Sequence, residues 1–176
     1  MKNIEVKYIF RPQNKGYSIQ KVFDNIIRNM DTIFVRKFFL PHSTLSFSGF
    51  IKNILFARLQ SKDKNIIYHI TGDVHYVTCG LIGKRVVNTY HDLVFLENAK
   101  NKLDYFIKFF LFLYLPIKLS NEITCVSNKT YQEIKSILKV KNIRVIYNPV
   151  DERYKPVFKS FNEENPLILH IGTGWN

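Results

Sequence analysis

Apolar residues fall along this chain in short runs alternating with stretches of helical spacing. The first run, Ile4 to Phe10, predicts a strand; after the polar loop RPQNKGY, Ser18 can cap a helix whose Ile19, Val22, Phe23, Ile26 and Ile27 share one face. A second β-rich stretch, Thr32 to Phe39, ends before Pro41, and between Ser48 and Leu59 the residues Phe50, Ile51, Ile54, Leu55 and Leu59 recur at helical spacing. The plan then repeats. Asn65 to Thr71 predicts a strand broken by Gly72, Asp73 to Ile82 a helix, and Arg85 to Tyr90 another strand. Glu122 to Val126 and Ile143 to Tyr147 predict two further strands, with a helix from Asn128 to Leu138 between them. Strands separated by helices in this way predict an α/β, Rossmann-like fold: a mainly parallel sheet with helices on both faces.

Two segments depart from the plan. Asn101 to Leu119 is the most hydrophobic part of the chain, wholly apolar from Phe109 to Leu115 but interrupted by Asp104, Lys108 and Pro116. It is shorter than the roughly 20 apolar residues a membrane span needs. A buried core helix is the first reading; Lys100, Lys102, Lys108 and Lys118 keep an interfacial membrane-docking helix as the second. From Asp151 the composition turns charged and Pro-containing, and PLILHIGTG then starts a fresh strand. The expected organisation is a first domain over 1–150, a linker over 151–165, and the opening strand of a second domain over 166–176.

The 176 residues include 46% hydrophobic and 23% charged side chains with 7 Gly and 6 Pro, which excludes disordered, collagen-like and low-complexity chains. Lys and Arg number 26 against 14 Asp and Glu, a net charge of +12. Such a balance invites an anionic partner, membrane lipid headgroups among them. The cations are scattered, and neither a recognition-helix pattern nor an RNA-binding strand motif accompanies them, so a nucleic-acid partner is not expected. Cys79 and Cys125 lie far apart in apolar surroundings, as buried thiols of a reducing compartment do. The N-terminus reads as a strand rather than a signal peptide, which predicts a cytoplasmic protein.

In open parallel sheets ligands gather at the carboxyl ends of the strands. The loops to watch follow Phe10, Thr71, Tyr90, Val126 and Tyr147. In the first, Gly16 lets the backbone approach a ligand, and the helix start at Ser18 offers free amides to an anion. The second carries His69, Thr71, Gly72 and Asp73, and the third carries His91 and Asp92. An imidazole at a strand end can position or polarise a substrate hydroxyl, although adjacent residues such as His91 and Asp92 point to opposite faces of a strand and make a poor catalytic pair. His69, His75 and His91 lack the spacing of a metal-binding motif, and no metal is expected. The glycine fingerprints of dinucleotide and ATP sites and the nucleophile elbow of hydrolases do not occur.

Taken in order, the segments YHITGDVHY, VVNTYHDLVFLE, EITCVSNKT, RVIYNPVD and PLILHIGTGWN resemble the amino-terminal half of the glycosyltransferase group 1 family, the retaining family four with the GT-B fold. The resemblance implies two Rossmann-like domains facing each other across a cleft, the first holding an acceptor and the second a nucleotide-sugar donor. It implies transfer of a sugar from a nucleotide diphosphate to a polysaccharide or glycolipid acceptor with retained configuration, without a metal or other cofactor.

The family's motifs carry over residue by residue. Gly16 and Tyr17 fall in the loop that approaches the donor phosphates, and His91 matches the histidine beside the reacting sugar. Tyr17, His69, Gly72, Asp92, Ser127 and Asn148 are the candidate substrate-binding residues, Ser127 and Asn128 following a strand that also ends at the cleft; Asn148, Val150 and Asp151 match the segment leading into the hinge, and Gly172 with Gly174 matches the phosphate-proximal loop opening the donor domain. The donor half, with its basic pair and paired glutamates, would follow Asn176. The chain alone is therefore expected not to transfer sugar, and a non-catalytic module pairing with a separately encoded donor half is the alternative. Lipid-linked acceptors would place it peripherally at the inner face of the plasma membrane.

Overall fold

The computed structural model describes residues 4–13, 18–43, 46–63, 65–156, 158, 160, 163, 164 and 166. Among these residues six parallel strands, β1 (Glu5–Phe10), β2 (Phe34–Phe39), β3 (Ile67–Ile70), β4 (Arg85–Tyr90), β5 (Glu122–Cys125) and β6 (Ile143–Val145), form one sheet in the order β2-β1-β3-β4-β5-β6. The Rossmann-like α/β expectation is met. In register, Val6 faces both Val35 of β2 and Ile67 of β3, and Tyr90 faces Cys125.

The order explains where each helix lies. From β1 the chain moves outward to β2 through α1 (Ser18–Arg28), and every later crossover runs the other way. Right-handed crossovers then put α1 on one face and the remaining helices on the opposite face. On the α1 face Phe23 is buried against Tyr8, 5.4 Å between ring centres, and against the edges of Phe10 and His69. On the other face α2 (Phe47–Gln60) packs Ala57, Phe50 and Ile54 into a core with Ile9, Ile70, Tyr76 and Val86. Farther along the same face, α5 (Leu115–Leu119) and α6 (Asn128–Ile137) bring Ile117 and Ile134 onto Tyr90, Ile123 and Cys125. Burial pushes the Cys125 thiol up to about 12, so it is inert; Cys79 is partly buried and also free.

Buried polar groups lock this second face. Asn53, fully buried on α2, receives the His42 amide and donates to the His42 carbonyl and the Tyr76 hydroxyl. Asn88 accepts a hydrogen bond from His75 Nδ1 and donates to Thr78 and Ser120, while the His75 ring stacks 3.9 Å from Tyr90. His75 is a core residue.

Two expectations change. Where a helix is predicted from Asp73 to Ile82, a 3-10 helix runs over His75–Leu81. It starts late because Gly72 (φ 140°) and Asp73 (φ 58°) both turn through the left-handed region, which no right-handed helix can include. The apolar segment 101–119 is also not one buried helix. The short α3 (Val94–Glu97) precedes it, α4 (Lys102–Lys108) buries none of its residues, Phe109–Tyr114 widens into a π-helix that buries Leu113, and α5 then buries Pro116 and Ile117. Pro116 accounts for the break. It has no N–H to give the Phe112 carbonyl four residues earlier, and the Tyr90 hydroxyl donates to that carbonyl instead, at 2.9 Å.

Candidate active site at the strand-end rim

The chain leaves β1 toward one face and β3 toward the other, so a notch opens between these neighbouring strands at their carboxyl ends. This is the topological switch point at which open α/β sheets bind ligands. Arg11 stands on one lip and Asp73 on the other, joined by an ion pair of 2.6 Å. Thr71 ties the floor together: its amide and its hydroxyl both donate to the Ile9 carbonyl of β1.

His91 leaves the end of β4 and lays its ring over Gly72. A Cβ on Gly72 would sit 2.7 Å from His91 Cδ2, so only glycine admits this approach. The ring Nε2 is 2.8 Å from the Thr71 carbonyl. A carbonyl only accepts, so Nε2 donates to it. The backbone is held too, because the His91 carbonyl accepts from the Thr130 hydroxyl of α6. The result is a half-buried imidazole held at its Nε2 and at its own backbone carbonyl, with Nδ1 as its second ring nitrogen.

The other candidates divide. His69 lies just behind His91 but turns under α1, between Tyr8 and Phe23, with Nε2 2.7 Å from the Thr89 hydroxyl, which in turn meets Thr124. Burial, aided by the neighbouring His91, lowers its pKa to about 3. The Asp92 carboxylate accepts the Val94 amide at the start of α3 rather than facing the His91 ring. Ser127 caps α6 by accepting the Thr130 amide, while Asn128 donates to the Tyr147 hydroxyl. Asn148 is exposed beyond β6, at the far edge of the sheet from the notch. Gly16, Tyr17 and Gly172 lie outside the described residues.

Among the described residues no three His, Cys, Asp or Glu side chains converge as metal ligands. A groove of about 660 Å³ among them lies away from the rim. It runs beside α1, lined by Lys21, Arg28, Asp151, Arg153 and Tyr154.

The sequence model of Glycosyltransferase Family 4 matches residues 4–154, which takes in all six strands and the notch. The chain belongs to glycosyltransferase family 4. Membership gives it a glycosyltransferase-type function, with sugar nucleotides and glycan acceptors as the general partners of the family. No curated protein matches the chain. Within this family 4 domain, sequence reasoning had marked His91 and Gly72 separately but not their contact, nor Thr71 and Thr130 as the groups that orient the histidine. Only the Gly72-Asp73 dipeptide hinted at the tight turn that makes the contact.

Proposed function

We propose that the rim around His91 is the acceptor-side wall of a retaining glycosyltransferase that moves a sugar from a nucleoside diphosphate to a polysaccharide or lipid-linked glycan. The observation that carries this reading is the imidazole that Thr71 and Thr130 orient at the switch-point notch. Its Nδ1 accepts a hydrogen bond from a sugar hydroxyl, fixing the ring beside the bond that breaks. In the transfer, the bond between the anomeric carbon and the diphosphate oxygen breaks, a bond to the acceptor oxygen forms on the same face, and the acceptor's proton passes to the departing diphosphate. Charge grows on the departing diphosphate, where the loop around Gly16 and Tyr17 and the Arg11 guanidinium supply donors.

In this reading residues 1–150 hold the acceptor, 151–165 link, and 166–176, with Gly172, begin the donor-binding domain. Anionic membrane lipid is the surface on which a lipid-linked acceptor is met. The second reading, binding without transfer in partnership with a separately encoded donor half, is favoured by the groove of about 660 Å³ that lies away from the rim.

The test is a mass-spectrometric transfer assay with the chain and a donor-binding half supplied together. His91→Ala should lower turnover by about a hundredfold or more, while His91→Asn, which keeps one polar group, should lower it less. Equal turnover in all three proteins would remove His91 from the site. Acceptor binding that moves the His91 resonances, with no turnover under any donor, would establish the binding module instead.

A further inference from the structure

Helix α4 is apolar at Leu103, Tyr105, Phe106 and Ile107, yet buries none of them; Leu103 is 69% and Phe106 62% exposed. Phe110 extends the stripe one turn on, its ring stacked near that of Phe106. A second exposed stripe runs along α2, through Phe47, Ile51, Leu55 and Leu59 at four-residue steps. Both helices lie on the same face of the sheet, and the Phe50 ring of α2 approaches Phe112 at 6.2 Å. The two stripes are exposed on this one side of the sheet, each a row of apolar side chains rather than a scatter of single ones.

We propose that this face docks the protein on an anionic lipid bilayer, with α2 and α4 lying in the interface rather than crossing it. Charge complementarity selects this occupant. Helix α2 carries exposed Lys52 and Arg58 and no carboxylate; the 102–119 segment carries Lys102, Lys108 and Lys118 against Asp104 alone, which Lys108 already pairs at 2.9 Å. The Lys118 amine sits over the Tyr114 ring, the arrangement of a long cation reaching up from an apolar body toward headgroups. A second copy of the chain fits worse, because pairing the two faces would bring these cations together with no free acid opposite. Among the described residues no helix is long and apolar enough to cross a membrane, so the contact is interfacial.

The surface deepens the membrane partner named above. It is tested without any nucleotide sugar, so its failure leaves sugar transfer to be judged by the His91 assay. The 176-residue chain is sedimented with vesicles of phosphatidylcholine alone and of phosphatidylcholine containing about one-third phosphatidylglycerol, at low and high salt. Binding to the anionic vesicles that falls with salt is expected. It should weaken about tenfold or more in the double variant Leu103→Ser, Phe106→Ser, whose sites are exposed and whose melting curve should match the parent. Lys21→Glu, on α1 across the sheet, should bind as the parent does. The proposal fails if anionic vesicles are not bound at low salt, if the double variant binds undiminished, or if Lys21→Glu loses as much binding as the double variant. It also fails if light scattering shows a dimer that the double variant dissociates while vesicles are ignored.

Discussion

Arg11 and Asp73 meet at 2.6 Å across the notch where the chain diverges from β1 and β3 to opposite faces of the sheet. The pair is partly exposed, so its Coulomb energy is screened, and its position matters more than its strength. Asp73 also holds a left-handed backbone, φ 58°, which Asn tolerates and β-branched residues do not. Asp73→Asn should therefore change stability by less than about 1 kcal/mol, whereas Asp73→Val should cost about 1–3 kcal/mol. Urea unfolding of the two variants beside the parent measures the difference.

Gly72 is constrained twice, by φ 140° and by the His91 ring. Gly72→Ala should lose about 1–3 kcal/mol and shift the imidazole resonances of His91, because the new methyl would press on Cδ2 at 2.7 Å. An unaltered His91 signal together with unaltered stability would contradict the contact.

Tyr90 stands in for the donor that Pro116 lacks. Tyr90→Phe leaves the Phe112 carbonyl without its partner and should cost about 1–3 kcal/mol. Pro116→Ala restores a backbone N–H at the right distance along the helix, so the Tyr90→Phe cost should be smaller in that background. A double-mutant cycle by denaturant unfolding reads the coupling; additive losses would refute it.

His75 and His69 are held neutral by burial, at about 4 and about 3. The unfolded chain takes up protons on both near pH 6.5 and the folded chain does not, so the unfolded state binds more protons between pH 6.5 and these lower values. Stability should be level above about pH 6.5 and fall on acidification through that window, His75 contributing roughly 1 kcal/mol per pH unit. Urea midpoints taken across the window should fall less steeply for His75→Gln, whatever its stability at neutral pH.

Much of the site was visible as residues and little of it as geometry. His91 and Gly72 stand out at strand ends because short apolar runs end there and the rim of a parallel sheet collects ligands. That one ring would cover the other residue's Cα depends on the neighbouring register of β3 and β4, in which His69 faces Val87 and Ile70 faces Asn88. His69 shows the converse. It shares a segment with Gly72, but strand alternation turns it under α1, where Phe23 and Tyr8 enclose it. Asp92, a poor partner for His91 by strand alternation, serves the amide of Val94.

The sequence by itself determined the alternation of strands and helices, since apolar periodicity and the Gly and Pro breaks are local properties that need no partner to be read. Tertiary structure alone decided which face each helix took, which side of the 101–119 segment met the core, and how Thr71 and Thr130 orient His91. Those outcomes follow from strand order and crossover handedness, which join residues dozens of positions apart. A helix apolar all round gives no local sign of whether protein or something outside the molecule will cover it.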